Sequence, residues 1–129
     1  MRSTLDVCRE LRDKLKAAGY TGSALDPADL NPPGAVWIQP RYVHDLTLGG
    51  GGELAVWLYL IVPNTDYEHA WTLLDDGLTG LVELLDEWDI PLADVEQPID
   101  LTAAVLLDGH SAPSPAYRLA IDLDLGDTA

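Results

Sequence analysis

Carboxylates are the side chains in this sequence that could most readily do chemistry. Asp122, Asp124 and Asp127 near the C-terminus could together bind a hard cation such as Ca²⁺ or Mg²⁺. A second acidic group follows a predicted helix and comprises Asp75, Asp76, Asp86, Glu87 and Asp89. Both groups also fit the solvated side of an amphipathic helix or strand. Neither group contains a pair of carboxylates in an evident apolar pocket, which would raise the pKa of one carboxyl group and suit it to acid/base catalysis. We therefore favour solvated surface acids over a metal site or an active site.

Other catalytic and metal-binding patterns are missing from the sequence. His44, His69 and His110 are scattered, and none has a Cys or His three or four residues away with which to hold a metal. No serine stands in a Gly-x-Ser-x-Gly turn, and the glycine run at residues 49–52 lacks the Lys-Ser/Thr of a phosphate loop. The single cysteine, Cys8, excludes an intramolecular disulfide. We expect no catalytic residue, no cofactor and no metal, and hence no enzyme.

Net charge and composition argue against several further classes of protein function. The chain of 129 residues has 22 Asp and Glu against 7 Lys and Arg, a net charge of −15. Such a surface repels phosphate, which argues against general nucleic-acid binding and against attraction to anionic membranes. The longest apolar run, residues 54–63, is far shorter than the roughly 20 residues of a membrane helix, and no signal peptide is expected. Hydrophobic residues make up 47%, enough for one core in a single domain over residues 1–129.

Two amphipathic helices are predicted from apolar residues that recur every three or four positions. The first covers residues 4–18, with Ser3 as N-cap, Gly19 after its end, and the stripe Leu5, Cys8, Leu11, Leu15 and Ala18. The second runs to residue 88 from a Thr-Asp-Tyr-Glu capping box at 65–68, with the stripe Trp71, Leu74, Leu78, Leu81, Leu85 and Trp88. Gly77 and Gly80 in this helix indicate the close approach of a neighbouring element.

Alternating patterns predict strands at residues 35–39, 53–62, 99–107 and 117–125, and residues 41–48 either continue the first strand or form another. Residues 53–62 are apolar on both faces and should form a central strand. Gly49, Gly50, Gly51 and Gly52 should form a flexible hairpin tip before it. The order of elements predicts an α+β fold: a mainly antiparallel (mixed) sheet of four to five strands with two helices packed on one face.

Trp37, Trp57 and Tyr59 should point away from the helix-covered side of this sheet. Aromatic side chains grouped on a second sheet face in so small a protein indicate a partner interface. A loop such as residues 26–34 could instead fold over them. The sequence leaves both alternatives open.

Residues 30–47, LNPPGAVWIQPRYVHDLT, carry a family resemblance. With the glycine-rich tip and the apolar strand after it, this segment resembles the tail terminator proteins of long-tailed (siphovirus-type) bacteriophages, including those of actinobacterial hosts. Similar features follow in the same order: an N-terminal helix, an Asn-Pro-Pro turn, a short strand, Pro-Arg-Tyr, Asp-Leu-Thr, a glycine hairpin, a strand, a long helix and a final strand pair. The order of elements covers nearly the whole chain, whereas the specific residues concentrate in 31–48. The chain departs from the group in being more acidic, with more Trp and Asp in the second helix.

The resemblance implies a structural virion protein at the head-proximal end of the tail, assembled in the host cytoplasm. Such a protein forms a ring, expected to be a homohexamer, that caps the tail tube, ends its polymerisation and provides the head-joining surface. Its partners would be further copies of itself, the tail tube protein and a head–tail connector or neck protein, while DNA passes through an acidic lumen without specific binding. The candidate subunit or tube interface is Trp37, Arg41, Trp57, Tyr59 and Arg118, and the glycine tip could order on contact with the tube. The alternatives are another head–tail joining protein or a non-viral acidic interaction module.

Overall fold

The computed structural model describes residues 2–31, 34–48, 50–62, 67–100 and 115–126. Within these ranges lie two α-helices, α1 (Thr4–Ala17) and α2 (Tyr67–Glu87), a short 3₁₀ turn (Pro27–Asp29), and four strands, β1 (Ala35–His44), β2 (Glu53–Ile61), β3 (Leu92–Asp100) and β4 (Pro115–Asp124). The strands form one sheet in the order β1-β2-β4-β3, and every neighbouring pair is antiparallel. The predicted α+β fold is confirmed, and β2 is an interior strand as its apolar pattern predicts.

Both helices bury their apolar sides against the same face of the sheet. The main core joins Val7, Cys8, Leu11 and Leu15 of α1 and Leu74, Leu81 and Leu85 of α2 to Val36, Ile38, Val56, Leu58, Leu60, Leu119 and Ile121 of the sheet. Burial of each large aliphatic side chain contributes about 1.5–3 kcal/mol, so this layer supplies most of the stability of the fold. Cys8 is buried within it, as predicted.

Helix α1 begins as predicted and ends one residue earlier, at Ala17, and its buried side is rotated slightly. The Ser3 hydroxyl oxygen accepts a hydrogen bond from the Asp6 amide at 3.4 Å, and Gly19 follows the helix with a φ of +111°. Val7 is buried instead of Leu5, which is 49% exposed because it lies at the flank of the buried side. Ala18 is exposed because it lies past the last helical residue.

Helix α2 also presents its predicted apolar side, apart from one end. Leu74, Leu81 and Leu85 are buried, and Leu78 and Trp88 pack against the core. Trp71 was predicted to belong to this stripe, but it is 42% exposed. Its indole N–H donates to the Tyr117 hydroxyl at 3.1 Å, so a polar contact at the rim holds the ring. Residues 65 and 66 of the predicted capping box lie outside the described residues. None of the described helices is long and apolar enough to cross a membrane.

The two glycines of α2 do mark close approaches: the Leu60 side chain of β2 lies against Gly77, and Tyr20 from the loop after α1 lies against Gly80. The Tyr20 hydroxyl donates to the Gly77 carbonyl at 2.8 Å. A Cβ atom at Gly80 would lie 2.8 Å from the same hydroxyl oxygen, closer than non-bonded atoms approach. The prediction from the glycine pattern is therefore confirmed.

β2 and β4 lie within two residues of their predicted bounds, whereas β1 and β3 differ more. Residues 41–44 continue the first strand, so β1 is a single strand with a bulge between Pro40 and Tyr42, and residues 45–48 lie beyond its end. The strand predicted at 99–107 was wrong at its start, because β3 begins at Leu92. Pro98 and the acidic residues hide the pattern of residues 92–98, as is common in edge strands. Residues 101–107 lie outside the described residues.

Candidate functional site

The predicted interface residues occupy the face of the sheet opposite the helices. Trp57 and Tyr59 of β2 lie beside Gln39 and Trp37 of β1 in the ladder, and Tyr59 lies beside Arg118 of β4. Residues directly opposite one another in a sheet share a face, so these side chains lie together. The aromatic side chains thus point away from the helices, as the alternation predicts. We call this surface the open face.

One end of the open face is covered by the segment at residues 22–31. Trp37 is 7% exposed and Tyr59 is 2% exposed, and their rings stack with centres 4.8 Å apart. The Trp37 indole N–H donates to the Leu25 carbonyl at 3.1 Å, and Leu30 packs against the same aromatic cluster. The covering loop that the sequence left as an alternative is therefore present over these two residues. Trp37 and Tyr59 are therefore covered by this segment and cannot contact a partner directly while the segment is in place.

Trp57 remains partly exposed and lies between two arginine side chains. The guanidinium carbons of Arg41 and Arg118 are each 4.2 Å from the centre of a Trp57 ring. The ring of Tyr59 meets Trp57 edge-on at 6.4 Å, which fixes the indole from the covered side. Guanidinium groups stack on aromatic faces through cation–π attraction. We call Trp57, Arg41 and Arg118 the arginine–tryptophan cluster.

The two arginines of this cluster differ in their ion pairing. Arg118 donates to both carboxylate oxygens of Glu96 at 2.6 Å and 2.5 Å, and this bond raises the pKa of its guanidinium. Arg41 is exposed and lies over the rings of Tyr42 and Trp57, and it forms no ion pair with any acid in the described ranges. In a chain with a net charge of −15, Arg41 is a cation that is available to a carboxylate from outside.

Apolar side chains are exposed near the end of β1 and in the hairpin that follows it. Tyr42 is 55% exposed and Leu46 65% exposed, and Leu48 is fully exposed. The turn is closed by Thr47, whose amide donates to the Gly51 carbonyl at 3.0 Å and whose hydroxyl oxygen accepts from the Gly51 amide at 3.0 Å. Gly50 has a φ of +91°, which suits glycine in a tight turn. Gly49 lies outside the described residues, and the flexibility of the tip stays a prediction.

A second group of functional side chains meets at the base of this hairpin. His44 Nε2 lies 2.7 Å from Asp122 Oδ1, and His44 Nδ1 lies 2.9 Å from Asp45 Oδ2 and 3.9 Å from Glu53 Oε2. The Asp122 hydrogen bond, followed by that of Asp45, raises the pKa of His44. Burial, followed by the neighbouring carboxylates of Asp45 and Asp122, raises the pKa of Glu53. We call these four residues the His44 cluster.

Sequence reasoning missed this cluster because it depends on the bulge in β1. Simple alternation from Trp37 would place residues 39, 41 and 43 on the open face and His44 on the helix side. The extra residue between Pro40 and Tyr42 reverses this order, so His44 pairs with Glu53 and comes beside Asp122, 78 residues later in the chain. Pro40 inside a strand pattern was the available signal, because proline in a sheet often marks a bulge.

The acidic groups named from sequence are not brought together as a site by the described residues. Asp122 joins His44, whereas Asp124 is exposed and accepts a hydrogen bond from the Gly126 amide at 2.8 Å. Asp127 and His110 lie outside the described residues. The acidic side of α2 is exposed, namely Asp75, Asp76, Asp86 and Glu87, and Asp89 follows it in the turn after the helix. Asp75 also accepts the Tyr117 hydroxyl at 2.7 Å.

Comparisons with known proteins give no relative: no family model matches the chain, no curated protein matches its sequence, and no solved structure matches its fold. The function is therefore inferred from the side chains of the open face and from the resemblance of residues 30–47.

Proposed function

We propose that this chain is a structural subunit that assembles into a closed ring through the open face of its sheet, and that the ring is the tail terminator of a long-tailed bacteriophage. In this role it caps the tail tube, ends tube polymerisation and provides the head-joining surface. The observation that carries the assembly is the arginine–tryptophan cluster, with its partly exposed indole and with Arg41, which forms no ion pair among the described residues. The resemblance of residues 30–47 supports the tail assignment. The proposal contains no catalytic step and no cofactor.

The cluster has the composition of an interface centre. Tryptophan and arginine are enriched among the residues that contribute most to protein association. Here the ring is held rigid between two guanidinium groups, so little side-chain freedom is lost on binding. Arg41 supplies a charge that a partner carboxylate can neutralise with two parallel hydrogen bonds.

A second copy of the chain offers the matching carboxylates. The exposed acidic side of α2 carries Asp76, Glu83, Asp86 and Glu87, and α2 lies on the opposite side of the sheet from the cluster. A contact between the cluster of one copy and α2 of the next joins two different surfaces. Such head-to-tail contacts close into a ring when the rotation between copies divides a full turn.

The charge of the chain also suits a channel for DNA. Six copies at −15 each carry about −90, and carboxylates along a lumen repel phosphates and so prevent DNA from sticking. We assign this lumen to acidic residues of the loops and of α2 that the subunit contact leaves uncovered. The exposed Leu46 and Leu48 at the hairpin end are then the proposed contact with the tube.

The assembly is tested by light scattering after size exclusion, over a range of protein concentrations. Six copies of the 14.0 kDa chain give a species of about 84 kDa. We expect Trp57→Asp to give a folded monomer, because it places a carboxylate where a partner's carboxylate should bind. Leu5→Asp is the matched control, since Leu5 is an exposed apolar residue on α1, outside both proposed contact surfaces. A Trp57→Asp protein that still forms the wild-type oligomer would remove the cluster from the interface.

The tail assignment is tested separately, by polymerising tail tube protein with and without this chain and measuring tube lengths by electron microscopy. A terminator shortens and caps the tubes. A ring that leaves tube length unchanged would contradict the tail assignment while keeping the assembly, and would favour another joining protein or an interaction module. A chain that stays monomeric in isolation and also leaves tube length unchanged would contradict both parts.

A further inference from the structure

The His44 cluster brings a nitrogen ligand and two carboxylates to one point. Ligand atoms of His44, Asp45 and Glu53 all lie within 4.8 Å of one another. Nδ1 of His44 is 2.9 Å from Asp45 Oδ2 and 3.9 Å from Glu53 Oε2. Around a metal ion with bonds of about 2.1 Å, adjacent ligand atoms lie about 3 Å apart and opposite ones about 4.2 Å apart. The two separations from His44 Nδ1 therefore lie in the range expected around one ion.

Asp122 holds the imidazole in the orientation that such an ion requires. Its Oδ1 lies 2.7 Å from His44 Nε2. A neutral imidazole that donates its Nε2–H to this carboxylate presents the lone pair of Nδ1 toward Asp45 and Glu53. A carboxylate behind a ligating histidine fixes the tautomer and the ring orientation in many metal sites. This oriented nitrogen ligand distinguishes the cluster from a patch of surface acids.

A bound dication would also balance the charge of the cluster. With a neutral imidazole, the carboxylates of Asp45, Glu53 and Asp122 are all negative and surround the same ring. Over the described part of the chain, the arginines that form ion pairs reach Glu10, Asp6, Asp13 and Glu96, and no Lys or Arg pairs with these three acids. A dication between Asp45 and Glu53 would neutralise most of this excess.

We propose that the His44 cluster binds one divalent transition-metal ion, with His44 Nδ1 and one oxygen each from Asp45 and Glu53 as ligands and with Asp122 as a positioning residue. One imidazole and two carboxylates suit Zn²⁺ or Mn²⁺ better than Ca²⁺, which takes six to eight oxygens. The general order of divalent affinities places Zn²⁺ above Mn²⁺. The ion ties the end of β1 to β2, at the base of the hairpin whose tip exposes Leu46 and Leu48. This inference does not depend on the proposed ring.

The test is metal binding to the full chain, stripped with a chelator and titrated with Zn²⁺, Mn²⁺ or Ca²⁺ alone in a calorimeter. We expect one Zn²⁺ per chain, with weaker Mn²⁺ and still weaker Ca²⁺. His44→Gln should weaken Zn²⁺ binding by at least tenfold, and Asp122→Asn should weaken it by about 10–100-fold through loss of ring orientation. His69→Gln is the matched control, because His69 is an exposed histidine on α2, and it should leave the affinity unchanged.

A spectroscopic readout separates ligation from a merely structural role. In nitrogen-15 spectra of the histidine side chains, Zn²⁺ should shift Nδ1 of His44 and leave Nε2 protonated. Coordination through Nε2 would overturn the role of Asp122. The proposal as a whole is overturned if Zn²⁺ does not bind, if folded His44→Gln protein binds it as tightly as wild type, or if Ca²⁺ binds as tightly as Zn²⁺. Circular dichroism checks that each variant is folded.

Discussion

The guanidinium of Arg118 makes two contacts: its Nη2 lies 2.5 Å from Glu96 Oε2, and its central carbon lies 4.2 Å from the centre of a Trp57 ring. Only 25% of its side chain is exposed, and its Nε is buried without a hydrogen-bond partner among the described residues. Arg118 therefore stabilises the fold, because its ion pair with Glu96 links β4 to β3. Arg41 lies at the same distance from the indole but forms no ion pair with a described acid.

The two arginines should thus differ in their effect on stability. Glu96→Gln removes the paired carboxylate and leaves the guanidinium of Arg118 partly buried, so we expect the free energy of unfolding to fall by about 1 kcal/mol. Arg41→Gln is the control and should change it by less than about 0.5 kcal/mol. Urea unfolding followed by circular dichroism measures both. Equal losses for the two variants would contradict the division of roles.

The contact between Tyr20 and α2 predicts a coupling between two substitutions. Gly80→Ala alone pushes the Tyr20 hydroxyl from its bond to the Gly77 carbonyl, which offsets the gain in helix propensity of about 1 kcal/mol. In a Tyr20→Phe background the hydroxyl is gone, and the same substitution should stabilise the protein by about 1 kcal/mol. A double-mutant cycle in urea measures this difference. Additive effects would show that the two residues do not constrain each other.

Gly22 controls the cover over the buried aromatic pair. A Cβ at this position would overlap the backbone carbonyl of Asn31, and the Gly22 carbonyl accepts the Asn31 amide at 3.1 Å. Gly22→Ala must therefore displace the covering segment, and we expect a loss of about 2 kcal/mol in unfolding free energy. Thr21→Ala, at an exposed neighbour, should cost less than about 0.5 kcal/mol. A Gly22→Ala protein as stable as wild type would indicate that the cover contributes little.

His44 predicts how stability depends on pH in a chelator-containing buffer. Hydrogen bonds to Asp122 and then Asp45 raise its pKa above the ordinary value of 6.5, so the folded state binds the proton more tightly than the unfolded state. This contribution is fully present below pH 6.5 and is lost as the pH rises through the raised pKa.

We therefore expect the urea midpoint of the wild type to fall from pH 6 to pH 9 more steeply than that of His44→Gln. Glu53 also has a raised pKa, and because both proteins contain it, the difference between their two curves reports on His44. Parallel curves for the two proteins would show that the imidazole does not gain a proton on folding.

Local patterns predicted much of the fold. The caps of α1, the central place of β2 and the glycine contact of α2 each depend on residues close in sequence, or on one strand with two apolar faces. Edge strand β3 begins at Leu92, whereas the sequence predicted its start at residue 99. One side of an edge strand has no partner strand, so polar residues and a proline are tolerated there and hide the alternating pattern.

The candidate sites were less predictable, because they depend on register. His44 reaches Asp122 only through a bulge that shifts β1 by one residue, and no local pattern specifies that bulge apart from Pro40. The burial of Trp37 depends on a loop 12 residues away that folds back over the sheet. Trp57, by contrast, was placed correctly on the open face, because alternation in β2 is regular.

The same covering segment also closes one side of the sheet to strand addition. The amide of Ala24 donates to the Val36 carbonyl and the amide of Ile38 donates to the Ala24 carbonyl, both at 3.2 Å, so outward-facing backbone groups of β1 are already bonded. At the other side, β3 has two register irregularities and includes Pro98, which has no amide proton to offer. Edge-to-edge pairing of copies is thus obstructed at Val36 and Ile38 of β1 and at Pro98 of β3, so the proposed assembly relies on side-chain contacts, which salt can weaken.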